Sequence, residues 1–440
     1  MKGRSSSPKT GKPPWPTAVV LTGGGARGAY EAGVLQFLHE TLVEKGPCER
    51  LFDILTGTSA GALNACTLGA MAHDPQAGVE ALVSYWRSIT MERLLKFGSR
   101  EVARLPKVIM GRRLGLDSLG YRKRPKQRVG PPHPPVAGLF DTSPLYRDML
   151  KEIPWHLLDV NIRKGIIRGI AVCATELCTS KSIVFYQAHE DRMYWPGKDP
   201  AKEERLVKMS VQHAMASAAI PFLFPAVQID SLCYVDGALR QNAPLHPALR
   251  MGAEKVLIIG LSREPDLKYR TARMSCQRNP FPGSLFLLGR TVNAVMDGVL
   301  DHEIHRVGMF NELILKGQAL YGESFLENLN QATQDYRNAE YRLVDVQIIR
   351  PSRNLNEVAI EALKEAPDEL GMPGLPGRLV KNVMTSSPFL ESELSSYLMF
   401  TPTYIGKLIE LGYEDARQRE GELIDFLTAE KPGSREGVRG

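Results

Sequence analysis

The chain has 440 residues, 43% hydrophobic and 24% charged, with a net charge of +6. That length and balance describe a globular protein with a sizeable core and exclude a disordered or collagen-like chain. No uninterrupted apolar run reaches the ~18 residues of a membrane span, and the six scattered cysteines (Cys48, Cys66, Cys173, Cys178, Cys233, Cys276) form no CxxC pair, which argues against a zinc site and for a reducing compartment.

Residues 1–16 (MKGRSSSPKTGKPPWP) are basic and rich in Pro and Ser, lack the apolar stretch of a secretion signal, and read as a disordered leader. Residues 18–21 (AVVL) form a short buried strand entering LTGGGARGAY. There Gly23, Gly25 and Gly28 spell a literal GxGxxG, the spacing of a dinucleotide-binding turn. Residues 29–43 repeat apolar side chains at helical spacing. A second short strand, 52–55 (FDIL), leads into Gly57-Thr58-Ser59-Ala60-Gly61. A GxSxG between strand and helix is a nucleophile elbow. Its serine sits on a tight turn, its glycines avoid side-chain clashes, and the helix that follows (61–72, small and apolar) aims N–H groups at the site.

Residues 89–137 break the alternation, first basic and then Pro-rich (PKQRVGPPHPP), as an insertion or lid. From Arg93 to Arg128 there are 12 Lys/Arg against 2 Asp/Glu, a local net charge of +10, so the remainder carries −4. Such a patch reads either as a docking surface for anionic headgroups at a membrane or as a solvated basic loop. Its few aromatic residues argue against nucleic acid. Strands follow at 166–173 and 182–186 around a turn at 178–181, then a helix at 207–219 that ends before Pro221, then strands at 231–235 and 255–261. Asp236 follows the first of these, at the strand edge where α/β sheets place their sites, and Gly237 lets the backbone turn there. Beyond residue 284 the pattern is mainly helical (285–315, 403–427), with one alternating strand at 341–349.

Strands alternating with helices predict an α/β fold: a mostly parallel central sheet sandwiched by helices, with a mainly helical C-terminal extension. The expected layout is an α/β core over 17–265, a helical extension over 266–430 packed on it, and a flexible tail over 431–440.

A serine nucleophile needs a base. His246, His302 and His305 follow Asp236 in a Ser…Asp…His order, but no motif surrounds any of them. The glycine loop can then be weighed. A dinucleotide site wants an acid about 20 residues on, at the end of the next strand. That end carries Ser59; Asp53 stands at the strand's start, and Glu44 and Glu49 precede it. The same loop amides, facing an elbow, would stabilise an oxyanion instead.

Three motifs in this order, GGGxRG (Gly23 to Gly28), GxSxG (Gly57 to Gly61) and DG[GA] (Asp236 to Ala238), resemble the patatin-like phospholipase family. Residues 138–145 (GLFDTSPL) and 216–225 (ASAAIPFLFP) are similar to family sequence between the motifs. The resemblance spans roughly residues 17–261; the C-terminal third resembles helical extensions of bacterial members only loosely. It implies a three-layer α/β/α fold and a serine-dependent lipid acyl hydrolase of phospholipase A or lysophospholipase type. It further implies a Ser59–Asp236 dyad with no histidine, an oxyanion loop of Gly23, Gly24, Gly25, Arg27 and Gly28, and support from Gly57, Gly61 and Gly237. Ala238 stands where many members have Gly. Arg27 reads either as a loop-orienting or lipid-phosphate contact or as a structural anchor.

The implied chemistry requires no metal or cofactor. Its partners are a phospholipid or other lipid ester and, through 93–128, an anionic membrane; the location is cytoplasmic or peripheral to a membrane. Oligomeric state has no signal in the sequence. The alternatives are a non-catalytic lipid-binding or scaffold protein and a dinucleotide-binding enzyme. On the hydrolase reading, Val at Gly24 or Gly25 stops turnover while the fold survives.

Overall fold

Five buried residues, TAVVL, make β1 (Thr17–Leu21) at the middle of the sheet. In this computed structural model the described residues are 15–44, 50–94, 140–189, 198–221, 223–264, 284–337, 340–370, 385 and 394–429. The expected tail, most of the expected leader, and the basic patch beyond residue 94 lie outside them. β1 is flanked in parallel by β2 (Ile54–Thr58) and β8 (Lys255–Ile259). Outside these lie β3 (Gly169–Glu176), parallel to β2, and β9 (Asp345–Ile349), parallel to β8. β4 (Ser182–Ala188) runs antiparallel to β3, and β5 (Lys202–Leu206) closes the edge, giving the order β5-β4-β3-β2-β1-β8-β9. A short hairpin of β6 (Val227–Ile229) and β7 (Leu232–Asp236) joins the far end of β3.

The central strands read as continuous apolar runs because both faces are covered. Val19 and Leu21 enter one hydrophobic cluster and Ala18 and Val20 the other. α1 (Ala29–Leu38), α2 (Ala60–Ala70) and α3 (Pro75–Ser88) contribute to the first. The Leu245–Arg250 helix and part of the long Ser284–Tyr321 helix contribute to the second. The architecture is a mostly parallel sheet between two helical layers, the expected three-layer α/β/α arrangement. No helix among the described residues is long and apolar enough to cross a membrane.

The helix expected over 29–43 stops at Leu38 and continues as a wider π-type turn, His39–Glu44. The helix expected over 207–219 is shorter, Val211–Ser217, and begins with a capping box from Ser210 and His213. Ahead of it β5, KEERL, was invisible as a strand: at the sheet edge its residues are half-buried or exposed, so no apolar period marks it. The Pro402–Gln418 helix crosses α1 at very close range. A Cβ on Gly33 would abut the Ile409 carbonyl, and one on Gly412 the Tyr30 carbonyl. Tyr30 OH, buried in that crossing, donates to Asp415 Oδ2 at 2.9 Å.

Candidate active site

Strand register brings the two halves of the site together. β2 ends at Thr58, opposite Cys173 of β3. β7 ends at Asp236, opposite Ala174 of β3. β4 occupies the other edge of β3 through these positions, so β2 and β7 share one edge and meet end to end. The residue after Thr58 therefore lies beside Asp236. Ser59 Oγ donates to Asp236 Oδ2 at 2.7 Å, and both residues are almost fully buried.

Ser59 stands at φ 55° and ψ −123°, just before α2. Non-glycine residues rarely adopt that backbone, at a cost on the order of 1–3 kcal/mol, and such strain persists only where surroundings enforce it. The enforcement is visible. The Ser59 N–H donates to Ser217 Oγ at 2.9 Å, and that hydroxyl donates to the Cys173 carbonyl at 2.6 Å. Gly57 and Gly61 face each other across the elbow, where a Cβ on Gly57 would strike the Gly61 carbonyl.

Asp236 is held as firmly. Its Oδ1 accepts from the Ala238 N–H at 2.8 Å, its own N–H donates to the Ala219 carbonyl at 2.9 Å, and Thr175 Oγ1 donates to its carbonyl at 3.0 Å. Gly237 packs on the Cys173 carbonyl. Burial raises the Asp236 carboxyl to about 7, against the lowering effects of the Ala238 N–H and the Ser59 hydroxyl. A carboxylate so placed changes charge near neutral pH, where a general base is most effective.

The glycine loop crosses the mouth of the elbow after β1. A Cβ on Gly23 would sit 3.1 Å from Ser59 Cβ. The Gly23 N–H, however, donates to the Asn242 carbonyl at 3.2 Å. Gly25 has φ 57° and opens a tight 3₁₀ turn, Gly25–Gly28, whose first N–H groups have no partner within the turn. Gly28 lies against Ala60 and Trp86, a packing position between helices.

Arg27 does not line the space beside Ser59. It is buried, donates from Nε and Nη2 to Ser396 Oγ at 3.0 and 2.6 Å, and stacks its guanidinium 3.8 Å from the Tyr397 ring centroid.

Neither Ser59 nor Asp236 bonds to a histidine among the described residues. His246 accepts from Arg250 Nε at 3.3 Å on the Leu245–Arg250 helix. His302 and His305 are exposed on the long Ser284–Tyr321 helix. Asp53 accepts from the Thr17 N–H at 3.2 Å and from Arg50 at 2.7 Å, at the strand end away from Ser59.

Ser59 and Gly25 open into an apolar cavity of about 600 Å³, open solvent at its mouth included, walled by residues such as Leu63, Leu82, Leu145, Met149, Phe224 and Phe400. Asn64 lines it too, and its amide joins three helices: it donates to Glu31 Oε2 at 2.8 Å and accepts from Trp86 Nε1 at 2.9 Å. Ser217, Asn242 and Phe400 were missed by sequence reasoning. Ser217 lies inside the family-like stretch 216–225, the only local signal for any of them.

A family model described as Patatin-like phospholipase matches residues 19–249, more than half of the chain. The chain belongs to the patatin-like phospholipase family, whose activity is lipid acyl hydrolysis. Among solved structures, VipD from Legionella pneumophila is similar at 15% identity and a TM-score of 0.30, over 90% of this chain and 67% of that one. A comparison with curated proteins gives no match.

Proposed function

We propose that the protein hydrolyses lipid carboxylic esters with Ser59 as nucleophile and Asp236 as its general base. The observation that carries this reading is the 2.7 Å bond from Ser59 Oγ to Asp236 Oδ2 at the wall of an apolar cavity. Asp236 takes the hydroxyl proton as Ser59 Oγ attacks the ester carbonyl carbon. The resulting oxyanion is met by loop N–H groups of Gly24 and Gly25, the Gly23 N–H being committed to Asn242, and by the N-terminal end of α2. The C–O bond breaks, the alcohol leaves with the proton from Asp236, and the acyl group remains on Ser59. Water then gives its proton to Asp236 and attacks the acyl carbon. The fatty acid departs and Ser59 Oγ regains a proton.

The acyl chain occupies the cavity, whose lining is almost wholly apolar. The cationic segment 93–128 holds the protein at an anionic lipid surface. Mass spectrometry of products from mixed phospholipid vesicles tests the reading. Wild type should release fatty acid and lysolipid, and Ser59→Ala should release neither. Undiminished release by Ser59→Ala would refute it.

A further inference from the structure

The family model ends at residue 249, yet one wall of the cavity at Ser59 comes from far beyond it. Phe400 is 7% exposed and lines the cavity together with Ser59 and Gly25. It follows a short buried helix, Leu394–Leu398, laid over the glycine loop. The Tyr397 carbonyl presses on the Cα of Gly25, occupying the place a Cβ would take. Arg27, two residues along the loop, holds this helix by its bonds to Ser396 and by its stack on Tyr397.

The back of the segment is fixed as well. Ser395 Oγ donates to Asn356 Oδ1 at 2.6 Å, and the Met399 N–H donates to the Ser395 carbonyl at 2.8 Å. Tyr404 OH shares its proton between the carbonyls of Leu355 and Ser396, at 3.1 and 3.2 Å. With its backbone held by these buried hydrogen bonds and its ring packed in the hydrophobic core, Phe400 has little room to swing aside, as a specificity wall requires. A loosely held aromatic would swing aside for any chain.

We propose that Phe400 determines which acyl groups the site accepts. The residues matched to the family supply the reacting groups, and this chain's own C-terminal region completes the acyl pocket. The proposal rests on the reading of Ser59 as nucleophile and adds to it the residue that limits the bound chain. Removing the ring enlarges the pocket and favours longer or bulkier acyl groups; enlarging it favours short ones.

The test compares kcat/KM for 4-nitrophenyl esters from butyrate to palmitate in wild type, Phe400→Ala, Phe400→Leu and Phe400→Trp. The readout is the palmitate-to-butyrate ratio within each protein, so a general loss of activity cancels. An apolar contact of this size shifts such a ratio by on the order of 10-fold. The ratio should rise in Phe400→Ala and fall in Phe400→Trp. Where Phe400→Ala fails to fold, the milder Phe400→Leu carries the same direction. Identical ratios in all folded variants, with the wild type active and its Ser59 labelled by a fluorophosphonate, would overturn the role of Phe400 alone. A wild type that neither labels nor hydrolyses would overturn the nucleophile reading and this proposal with it.

Discussion

The hydroxyl of Ser59 donates to Asp236 across 2.7 Å, and neither residue bonds to a histidine among the described residues. The pair is built by strand ends: β2 releases the edge of β3 at Cys173 and β7 takes it up at Ala174. On the proposed mechanism, Ser59→Ala lowers kcat/KM by at least about 10⁴-fold, as removal of a serine nucleophile does elsewhere. Its thermal unfolding midpoint should stay within a few degrees of wild type, because the buried Asp236 oxygen left without the Ser59 hydroxyl costs only about 1–3 kcal/mol in a chain of this size. Fluorophosphonate labelling should vanish in the same variant.

Asp236 gives a pH signature. Its carboxyl titrates near 7 in the folded protein, raised by burial from an ordinary value of 3.8. On the proposed mechanism Asp236 must be ionised to accept a proton, so kcat/KM should climb through about pH 7 and level above it, and an activity flat between pH 5 and 9 would contradict this.

The same shift bears on stability with the opposite benefit. A raised carboxylate keeps its proton longer in the folded state than in the unfolded one, so stability falls as pH rises from about 3.8 to about 7. Asp236→Asn removes that penalty while its amide can still meet Ala238 and Ser59. Urea unfolding at pH 8 should find this inactive variant more stable than wild type by on the order of 1–3 kcal/mol. At pH 4 the difference should largely disappear.

The glycine loop separates two neighbouring positions that sequence reasoning treated alike. A Cβ at Gly24 meets chiefly the Cδ1 end of Leu261, a side chain that can move. At Gly25 it meets the Tyr397 backbone carbonyl, and φ is 57°. Gly24→Ala should therefore keep the fold and, on the proposed mechanism, lose turnover, since loss of one oxyanion donor is typically worth ~2.7–4 kcal/mol of transition-state stabilisation. Gly25→Val should lose stability as well as turnover, which differential scanning calorimetry of the two variants would separate.

Ser217 tests how the elbow is held. Ser217→Ala leaves the Ser59 N–H and the Cys173 carbonyl without the hydroxyl between them. Buried groups stripped of a partner cost about 1–3 kcal/mol. Unfolding free energy should drop by that amount, and kcat should fall more than KM rises, because the affected group is the strained serine backbone.

The motifs were legible because each is a local device. A strand ending in GTSAG suits a tight turn with the serine at its apex, and both the turn and α2 appear where the pattern set them, with the serine itself buried. The alternating apolar runs gave the sheet for the same reason, while KEERL was silent because an edge strand need not be apolar. Asp236 was different. An Asp-Gly after a strand is a common turn, and only the resemblance singled it out from the sequence.

The sequence alone therefore determined the class of fold, the elbow, the glycine loop and the family to which the chain belongs, each from patterns a few residues long. Tertiary structure decided where Arg27 points, which loop amide is already spent on Asn242, and that Phe400 lines the cavity at Ser59. Arg27 and Ser396 are 369 positions apart, and no local pattern encodes a contact of that separation. Its partner is chosen by how the C-terminal helices pack across α1, through glycines that let two backbones touch.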